Sequence, residues 1–359
     1  MLTVGVEEEF LLVAPDGSVV PAAADVIRAV DDPRVKPELM TYQIETSTGV
    51  CTDLATLGLE LIELRRRVAA ACDELGVNLV AAGAPLVGDP GLEFVTDAPR
   101  YRGLAETFPG AAARAGTCAC QIHVGVPDRH LAVRVLTRLR RWLPTIFSLG
   151  TNSPVAGGVD TGWSSTRYGR QLRWPTFGAP EAWASAADYD EAVEELVRSR
   201  AAYDVRSVYF LARLSPRYPT IEIRVADTCL DVADAVLLAG VCRALVTVLV
   251  TDEQHGRSDL PISSSALRAA LLAVAVDGQP PTSGADEVTR VVRAARLLRT
   301  ILPGTSDAAE ADVVLAGLER IHRVGTGAER QRRLVTGAPE LARFVAALAT
   351  ATLADEGLS

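Results

Sequence analysis

Three consecutive carboxylates inside a β-patterned stretch constrain this chain more than any other feature of its 359 residues. In Val4-Gly5-Val6-Glu7-Glu8-Glu9-Phe10-Leu11-Leu12-Val13, β-branched and aromatic residues flank the acids, and such side chains suit a pleated, half-buried surface. A strand sends alternate side chains to opposite faces. Val4, Val6, Phe10 and Leu12 then share an apolar face with Glu8, while Glu7 and Glu9 project together from the other. Two residues along a strand span about 7 Å, where two ionised carboxylates repel by about 2 kcal/mol at an effective dielectric of roughly 20. Solvent, basic partners or a bound cation relieve that repulsion. A divalent cation with oxygen ligands fits best if the face is concave and further carboxylates converge on it. Taken alone, the stretch reads as a solvated edge strand with an acidic outer face. What decides is whether other segments aim acids or imidazoles at the same place.

The length allows a large core, as one big domain or two fused units. A formal charge of −9 and a pI near 5.1 give no support for a nucleic-acid or anionic-membrane partner. Met1-Leu2-Thr3 runs straight into the first strand without a signal-peptide pattern. The longest apolar run, Val232 to Val250, is interrupted by Asp234 and Arg243 and reads as a buried core helix, not a membrane span. The six cysteines (Cys51, Cys72, Cys118, Cys120, Cys229 and Cys242) fit no zinc pattern. Most lie in apolar surroundings, so buried reduced thiols and a cytoplasmic location are expected. No internal repeat is present.

Along the chain, Pro15-Asp16-Gly17 marks a turn and Met40 to Thr46 a second strand. Asp53 caps a helix running to Leu75, with Leu54, Leu57, Leu61, Leu64, Val68 and Cys72 as its apolar stripe and Gly76 as its stop. Val77 to Ala82 is a short apolar strand, residues 84–117 read as irregular, and Cys118 to Val126 is a third strong strand. Pro127-Asp128 starts a helix reaching Leu149, with Leu131, Val135, Leu139 and Trp142 inward. Residues 150–183 form a long loop whose tryptophans and arginines argue for function. A helix over 188–203 precedes an antiparallel pair, Val208 to Leu214 and Thr220 to Val225. Helices then follow at 231–251, 263–276, 284–301, 307–320 and 338–353, with their charged faces in solvent. The expected organisation is a sheet with packed helices over 1–230 and a helical part over 231–359, continuous with the same domain.

Three further strands aim polar groups from apolar ladders. In Thr220-Ile221-Glu222-Ile223-Arg224-Val225, Glu222 and Arg224 oppose the isoleucines, and on an isolated strand they would simply pair with each other. In Cys118 to Val126, Gln121 and His123 share a face. A lone strand histidine is more often structural than a ligand, but His130, His255 and His322 lie in helical or loop contexts, so His123 is the candidate. Gln43 and Glu45 share a face, whereas Glu38, seven positions before Glu45, has opposite parity. If both acids reach one site, the segment between them must bend or bulge. Carboxylates with one imidazole and no paired cysteines favour Mg²⁺ or Mn²⁺ over zinc, and nearby arginines suit phosphate or carboxylate groups.

Six segments occur in an order that resembles the glutamate–cysteine ligase type 2 family of ATP-dependent carboxylate–amine ligases. They are Gly5 through Phe10, Glu38 through Cys51, Gln121 through Val126, Asp160 through Arg167, Asp204 through Arg206 and Pro219 through Asp227. The resemblance runs from residue 4 to about 255. It implies an α+β, glutamine-synthetase-like fold: a curved antiparallel sheet, helices on its convex face, and a concave face that takes ATP, divalent metal and an amino acid. By resemblance the metal-binding set is Glu7, Glu9, Glu38, Glu45 and Glu222 with His123 beside them, and Glu8 faces away. Arg224, Arg167 and Arg206 would hold phosphate or substrate carboxylate, Gln43 and Gln121 belong to the substrate and ATP surface, and Arg224 beside Glu222 would stabilise the transferring phosphoryl group. At Ser153-Pro154-Val155-Ala156 family members often carry a larger aromatic, which leaves the acceptor pocket open.

The implied reaction joins a carboxylic acid, the γ-carboxylate of glutamate by resemblance, to cysteine or a related amine through an acyl phosphate. The alternatives are an ATP-dependent phosphotransferase on a small guanidino or carboxylate substrate and a non-catalytic amino-acid- or metal-binding protein. The expected partners are small molecules, with no nucleic acid or membrane, and the apolar helical tail offers surface for a homo-oligomer.

Overall fold

In the computed structural model, which describes residues 2–257, 262–279, 308–337 and 340–355, the acidic stretch is the spine of a sheet and not its edge. The strands are β1 (Val4–Val13), β2 (Val35–Pro37), β3 (Gln43–Ser47), β4 (Asn78–Val80), β5 (Cys120–Gly125), β6 (Val155–Ala156), β7 (Val159–Asp160), β8 (Ala212–Leu214) and β9 (Thr220–Ile223). Seven of them form one antiparallel sheet in the order β2-β3-β1-β5-β9-β8. β4 pairs with the end of β1, beside Leu11 to Val13, where β5 no longer reaches. β6 and β7 make a separate small hairpin.

The helices are α1 (Ala23–Val30), α2 (Leu54–Glu74), α3 (Pro99–Thr107), α4 (Pro109–Ala112), α5 (Arg129–Leu139), α6 (Leu143–Leu149) and α7 (Thr166–Gln171). They continue with α8 (Ala186–Arg198), α9 (Val232–Gln254), α10 (Ser264–Asp277), α11 (Ala308–Val324), α12 (Gly327–Gly337) and α13 (Leu341–Thr352). The expected helix over 284–301 lies outside the described residues.

Side-chain parity builds the two faces. On β1, Val4, Val6, Phe10 and Leu12 are buried, and so are their neighbours Ile122 and Val124 on β5 and Ile221 and Ile223 on β9. Against Val4, Val6 and the β5 and β9 residues pack α2, α5 and α9 in one large apolar cluster, while Phe10 and Leu12 lie in a separate cluster with α1 and the later turns of α2. The opposite face carries Glu7 and Glu9, and beyond them Leu11 and Val13 run into a second cluster with Met40, Tyr42 and Trp174. One end of the polar face is therefore closed by apolar packing, and the other stays open.

Glu8 sits on the helix-facing side of β1, fully buried, and Arg65 of α2 meets it with Nε to Oε2 at 2.9 Å and Nη2 to Oε1 at 2.5 Å. The rest of that guanidinium donates to the carbonyls of Cys229 at 2.9 Å, Leu230 at 3.3 Å and Thr352 at 2.7 Å. A buried ion pair is tolerable only when its remaining protons find acceptors, and here they do. The pair joins the central strand to α2, to the segment before α9 and to α13.

Several local expectations fail for identifiable reasons. Residues 84–117 contain α3 and α4, each opened by a proline, which fits the first turn because its missing N–H is an orphan there. The helix expected from Asp128 to Leu149 breaks after Leu139 and resumes as α6. Pro144 accounts for the break: a proline removes the bond to the carbonyl four residues back, Arg140. Leu131 and Trp142, expected inward, are only half-buried. The loop 150–183 carries the β6–β7 hairpin and α7, and α12 has no counterpart in the sequence pattern. By contrast α2 is capped by Asp53, whose carboxylate accepts from Thr56 N at 2.7 Å, and it stops at Gly76 with φ +67°. All six cysteines are buried and free. α9 is long and apolar enough to cross a membrane by composition, yet 89% of that window is buried against other elements.

Charged groups on the C-terminal helices are not all solvated. Asp231, which caps α9, and Asp234 in its first turn are buried and paired with Arg320 of α11 and Arg330 of α12. Four charges meet at one helix start, where acids are favoured by the helix dipole.

Candidate active site

Register places the polar side chains directly opposite one another. Glu9 of β1 faces Glu45 of β3, and Glu7 faces Gln121 of β5. His123 of β5 faces Glu222 of β9, which in turn faces Arg213 of β8. Directly opposed residues of an antiparallel pair share a face, so five strands contribute to one cup. Glu38 joins them from the turn after β2. The chain does bend between Glu38 and Glu45, through a turn at Thr41-Tyr42, which reconciles their opposite parity. The cup encloses about 100 Å³ and is lined by Glu7, Glu9, Glu38, Glu45, Gln121, His123, Glu222, Arg224 and further basic and aromatic groups.

A chain of hydrogen bonds crosses the cup. Glu9 accepts from Ala119 N at 2.8 Å and from Gln121 Nε2 at 2.6 Å. Gln121 Oε1 accepts from Arg224, and Arg224 also donates to Glu222. Arg213 completes the sequence with a bidentate fork, Nε to Oε2 and Nη2 to Oε1 of Glu222, each at 3.0 Å. On the other side Tyr101 donates to Glu38 at 3.2 Å, and Arg100 is held by Asp204 at 2.7 and 3.1 Å.

Burial raises the carboxyl pKa of Glu38, and it does so at Glu9, which the nearby Glu38 also lifts and which reaches about 7. Glu45 is pushed well above the usual carboxylate range, first by burial and then by Glu7, Glu38 and Glu9. Lys36, 3.9 Å away, offsets only part of that. Glu7 is half-buried, but the His123 imidazole 3.7 Å away outweighs the desolvation and holds it below the usual value. Glu222 is likewise desolvated, yet Arg213 and Arg224 hold it well below the carboxylate range. The cup thus divides into acids under mutual strain and one acid clasped by guanidiniums.

That division tests the expected cation set. His123 Nδ1 bonds Thr220 Oγ1 at 2.9 Å, whereas its buried Nε2, the nitrogen nearer Glu7, has no hydrogen-bond partner. An imidazole fixed through one nitrogen with the other free is the usual arrangement of a metal ligand. Glu7, Glu9, Glu38 and Glu45 supply the oxygen-rich, anionic donors that Mg²⁺ or Mn²⁺ prefers. Among the described residues no three His, Cys, Asp or Glu groups already stand together as a metal-holding cluster. Glu222 fits least well, because a cation there would compete with Arg213 and Arg224 for both of its oxygens.

Two cavities flank the cup. One, of about 430 Å³, is mostly apolar and opens beside Glu7 and His123 between Leu2, Val4, Val50, Pro127 and Tyr218. The other, of about 50 Å³, is bounded by Glu9, Glu38, Thr117, Arg167, Trp174 and Arg224. Arg167 is buried, donates to the carbonyls of Arg224 at 3.1 Å and Val225 at 3.3 Å, and leaves its Nε without a partner. Asp227 fixes it from behind, 3.7 Å from Nη1, while accepting from Asn152 N, Ser153 Oγ and Ser165 Oγ at 2.7–2.8 Å. Close packing permits this: a Cβ on Gly83 would lie 2.8 Å from the Asp227 carboxyl carbon.

Of the residues assigned to the site from sequence, Gln43 does not reach either cavity. It shares the Glu45 face, but its amide donates to Thr117 O at 2.9 Å and accepts from Met40 N at 3.3 Å, which makes it an internal brace. Arg206 lies on the rim of the cup and is exposed. Arg213, Arg100, Tyr101 and Asp227 belong to the site, and the sequence pattern does not single them out as site residues. Arg213 alone carries a legible signal, the apolar–charged–apolar alternation of Ala212-Arg213-Leu214.

The model of glutamate-cysteine ligase family 2 matches residues 3–347. A Mycobacterium sp. (strain KMS) protein provisionally named glutamate–cysteine ligase 2-2 is 40% identical over 361 residues, covering 98% of this chain and 99% of the relative. A Saccharopolyspora erythraea protein provisionally named glutamate–cysteine ligase 2-1 is 38% identical over 360 residues, covering 99% and 96%. Among solved structures, a Francisella tularensis glutamate–cysteine ligase in complex with AMP superposes with a TM-score of 0.70 at 11% identity, over 100% of this chain and 90% of that one. A bifunctional glutathione synthetase from Pasteurella multocida gives 0.68 at 16% identity over 98% of this chain, which spans only 52% of that larger protein. At such identities the structures establish a shared fold.

Proposed function

The chain belongs to the glutamate–cysteine ligase family 2, and from that premise we propose that it joins a carboxylic acid to an amine with ATP as the driving substrate. The acid is the γ-carboxylate of glutamate and the amine is cysteine or a related amine. The observation that carries this reading is the layout of the concave face: an apolar cavity, a cup of acids against arginines, and an arginine-walled cavity follow one another. The apolar cavity suits a purine base, and the cup suits the phosphates. The inner cavity suits the acid substrate, its carboxylate drawn by Arg167 and Arg224.

Glu7, Glu9, Glu38, Glu45 and His123 are the residues that would hold Mg²⁺, with Mn²⁺ as the other candidate. The bound cation supplies charge neutralisation for the nucleotide phosphates. The protein's own part is positioning. Arg224, anchored by Glu222 and Gln121, presents a fixed guanidinium to the phosphoryl group in transit. In that step the γ-phosphorus bond to ADP breaks as a bond forms to the substrate carboxylate oxygen. The amine nitrogen then attacks the acyl carbon, and inorganic phosphate leaves with the electron pair of the C–O bond. No nucleophilic side chain is required, which accords with buried cysteines whose thiol pKa burial raises.

The test is Mg²⁺-dependent ADP release with glutamate against a panel of amines, with mass detection of the product. An amide plus inorganic phosphate is the expected result. A stable phosphorylated product without amide would replace ligation by phosphoryl transfer, and no turnover with any amine would leave a binding protein.

A further inference from the structure

Three glycines, Gly5, Gly49 and Gly125, border the apolar cavity beside the cup. Two of them answer to their own neighbours. A Cβ on Gly125 would run into the Thr3 hydroxyl, and one on Gly49 would press on the Glu60 carboxylate at 3.3 Å. Gly5 answers to neither backbone nor packing. Its φ lies outside the left-handed region, and a Cβ there would have only Gly49 O at 3.4 Å and Thr48 Oγ1 at 3.7 Å within 4 Å. By parity Gly5 shares the concave face with Glu7 and Glu9, and in register it sits opposite His123. A glycine inside a strand weakens it, and a position that needs none for its own fold suits close approach of a ligand to the backbone.

Tyr218 is the second observation. It sits in the turn between β8 and β9, 52% exposed, with its ring edge-on to His123 at 6.1 Å between centroids. It borders both the apolar cavity and the cup. The hydroxyls of Thr48 and Thr220 on the cavity wall are already engaged. Thr48 Oγ1 accepts from Val6 N and donates to Gly49 O, each at 3.0 Å, and Thr220 Oγ1 bonds His123 Nδ1 at 2.9 Å. What these walls offer is therefore mainly contact area, which suits a flat ring. Cavity and cup share Glu7, His123 and Tyr218, and the cup adds Arg206 and Arg217. A ligand with a flat head and a polyanionic tail spans the two.

We infer that Gly5 and Tyr218 form the base subsite for a nucleoside triphosphate. The base lies over the bare backbone at Gly5, the Tyr218 ring packs against it, and the phosphates run past Glu7 and His123 into the cup. The inference rests on the ligase reading and names the residues that hold its nucleotide.

The experiment measures Kd for ATP and for inorganic triphosphate, each with Mg²⁺, by calorimetry. Wild-type protein, Gly5→Val, Tyr218→Ala and Tyr218→Phe are compared, and the wild type is also tested for hydroxamate formation from glutamate, hydroxylamine and ATP. The wild type should bind ATP at least ~10-fold tighter than triphosphate. Gly5→Val and Tyr218→Ala should each weaken ATP by about tenfold and leave triphosphate within about twofold, while Tyr218→Phe keeps the ATP affinity. Gly5→Val should melt no lower than the wild type, because valine suits a strand better than glycine does. Tyr218→Ala changes an exposed position and carries the test if Gly5→Val does not fold. ATP binding unmoved by the substitutions, or weakened equally with triphosphate, overturns the base subsite and leaves ligation standing. The expected binding pattern without hydroxamate overturns ligation and keeps the subsite. A wild type that binds no ATP overturns both.

Discussion

Glu9 and Glu45 occupy directly opposed positions on adjacent antiparallel strands, so two carboxylates share one cross-strand site. Like charges placed that way destabilise a sheet.

Glu45→Gln is expected to stabilise the metal-free protein by about 1 kcal/mol, because it removes repulsion from Glu7, Glu9 and Glu38. It should also reduce Mg²⁺-dependent ADP release by at least ~100-fold. Urea unfolding in chelator and a coupled ADP assay measure the two effects. A variant that is less stable and still fully active would remove Glu45 from the cation-binding group.

The acid cluster sets a pH dependence whose sign can be worked out. Unfolded glutamates titrate at about 4.3, whereas burial and Glu38 push folded Glu9 up to about 7. Between those values the folded state keeps a proton that the unfolded state has released, so stability falls as pH rises through the window. Metal-free protein should melt at a lower temperature at about pH 8 than at about pH 5.5, and saturating Mg²⁺ should narrow the gap. Calorimetry near pH 6.5 or so, in two buffers of different ionisation enthalpy, should show protons leaving as Mg²⁺ binds. Binding without proton release would take Glu9 out of the cation's reach.

Arg213 grips Glu222 through two bonds and spends its remaining donors on the carbonyls of Arg206 and Val208. Arg213→Lys should not rescue what Arg213→Ala loses, since an ammonium cannot reproduce the fork. Both should lower kcat by ~10-fold or more through a misplaced Arg224, with KM for the amine little changed. A lysine variant with wild-type kcat would reduce Arg213 to a generic positive charge.

Behind the sheet, the Glu8–Arg65 pair is suited to a double-mutant cycle. Arg65→Met leaves a buried carboxylate alone and should cost about 3–5 kcal/mol, whereas Glu8→Leu combined with Arg65→Met should recover most of that. Denaturant unfolding of the four proteins gives the coupling. Additive losses would mean the two residues act independently.

Much of the site is legible because a strand has period two. Glu7, Glu9, Gln121, His123, Glu222 and Arg224 fall on one face by counting alone, and the Glu38–Glu45 bend follows from parity. Arg65 is hidden by its residue type. It lies on the apolar stripe between Leu61 and Val68, where an arginine is expected only with a buried partner, and parity says of that partner, Glu8, only that it faces away from the site. Arg100 and Tyr101 cannot be read, because their segment carries no apolar period and its helix is set by Pro99 and by tertiary packing. Gln43 has the right face but the wrong end of the sheet. Period fixes a side, whereas the apolar plug around Met40 and Tyr42 decides how far the cup extends.

The grip of Arg65 on the carbonyl of Thr352, together with the Thr352 hydroxyl that accepts from Ala81 N at 2.9 Å, ties the last described helix to the first strand's neighbourhood. During synthesis β1 is made before its flanking strand β5 and long before the closing contacts of α13. A nascent molecule therefore carries an incompletely paired, charge-bearing strand for a long part of translation.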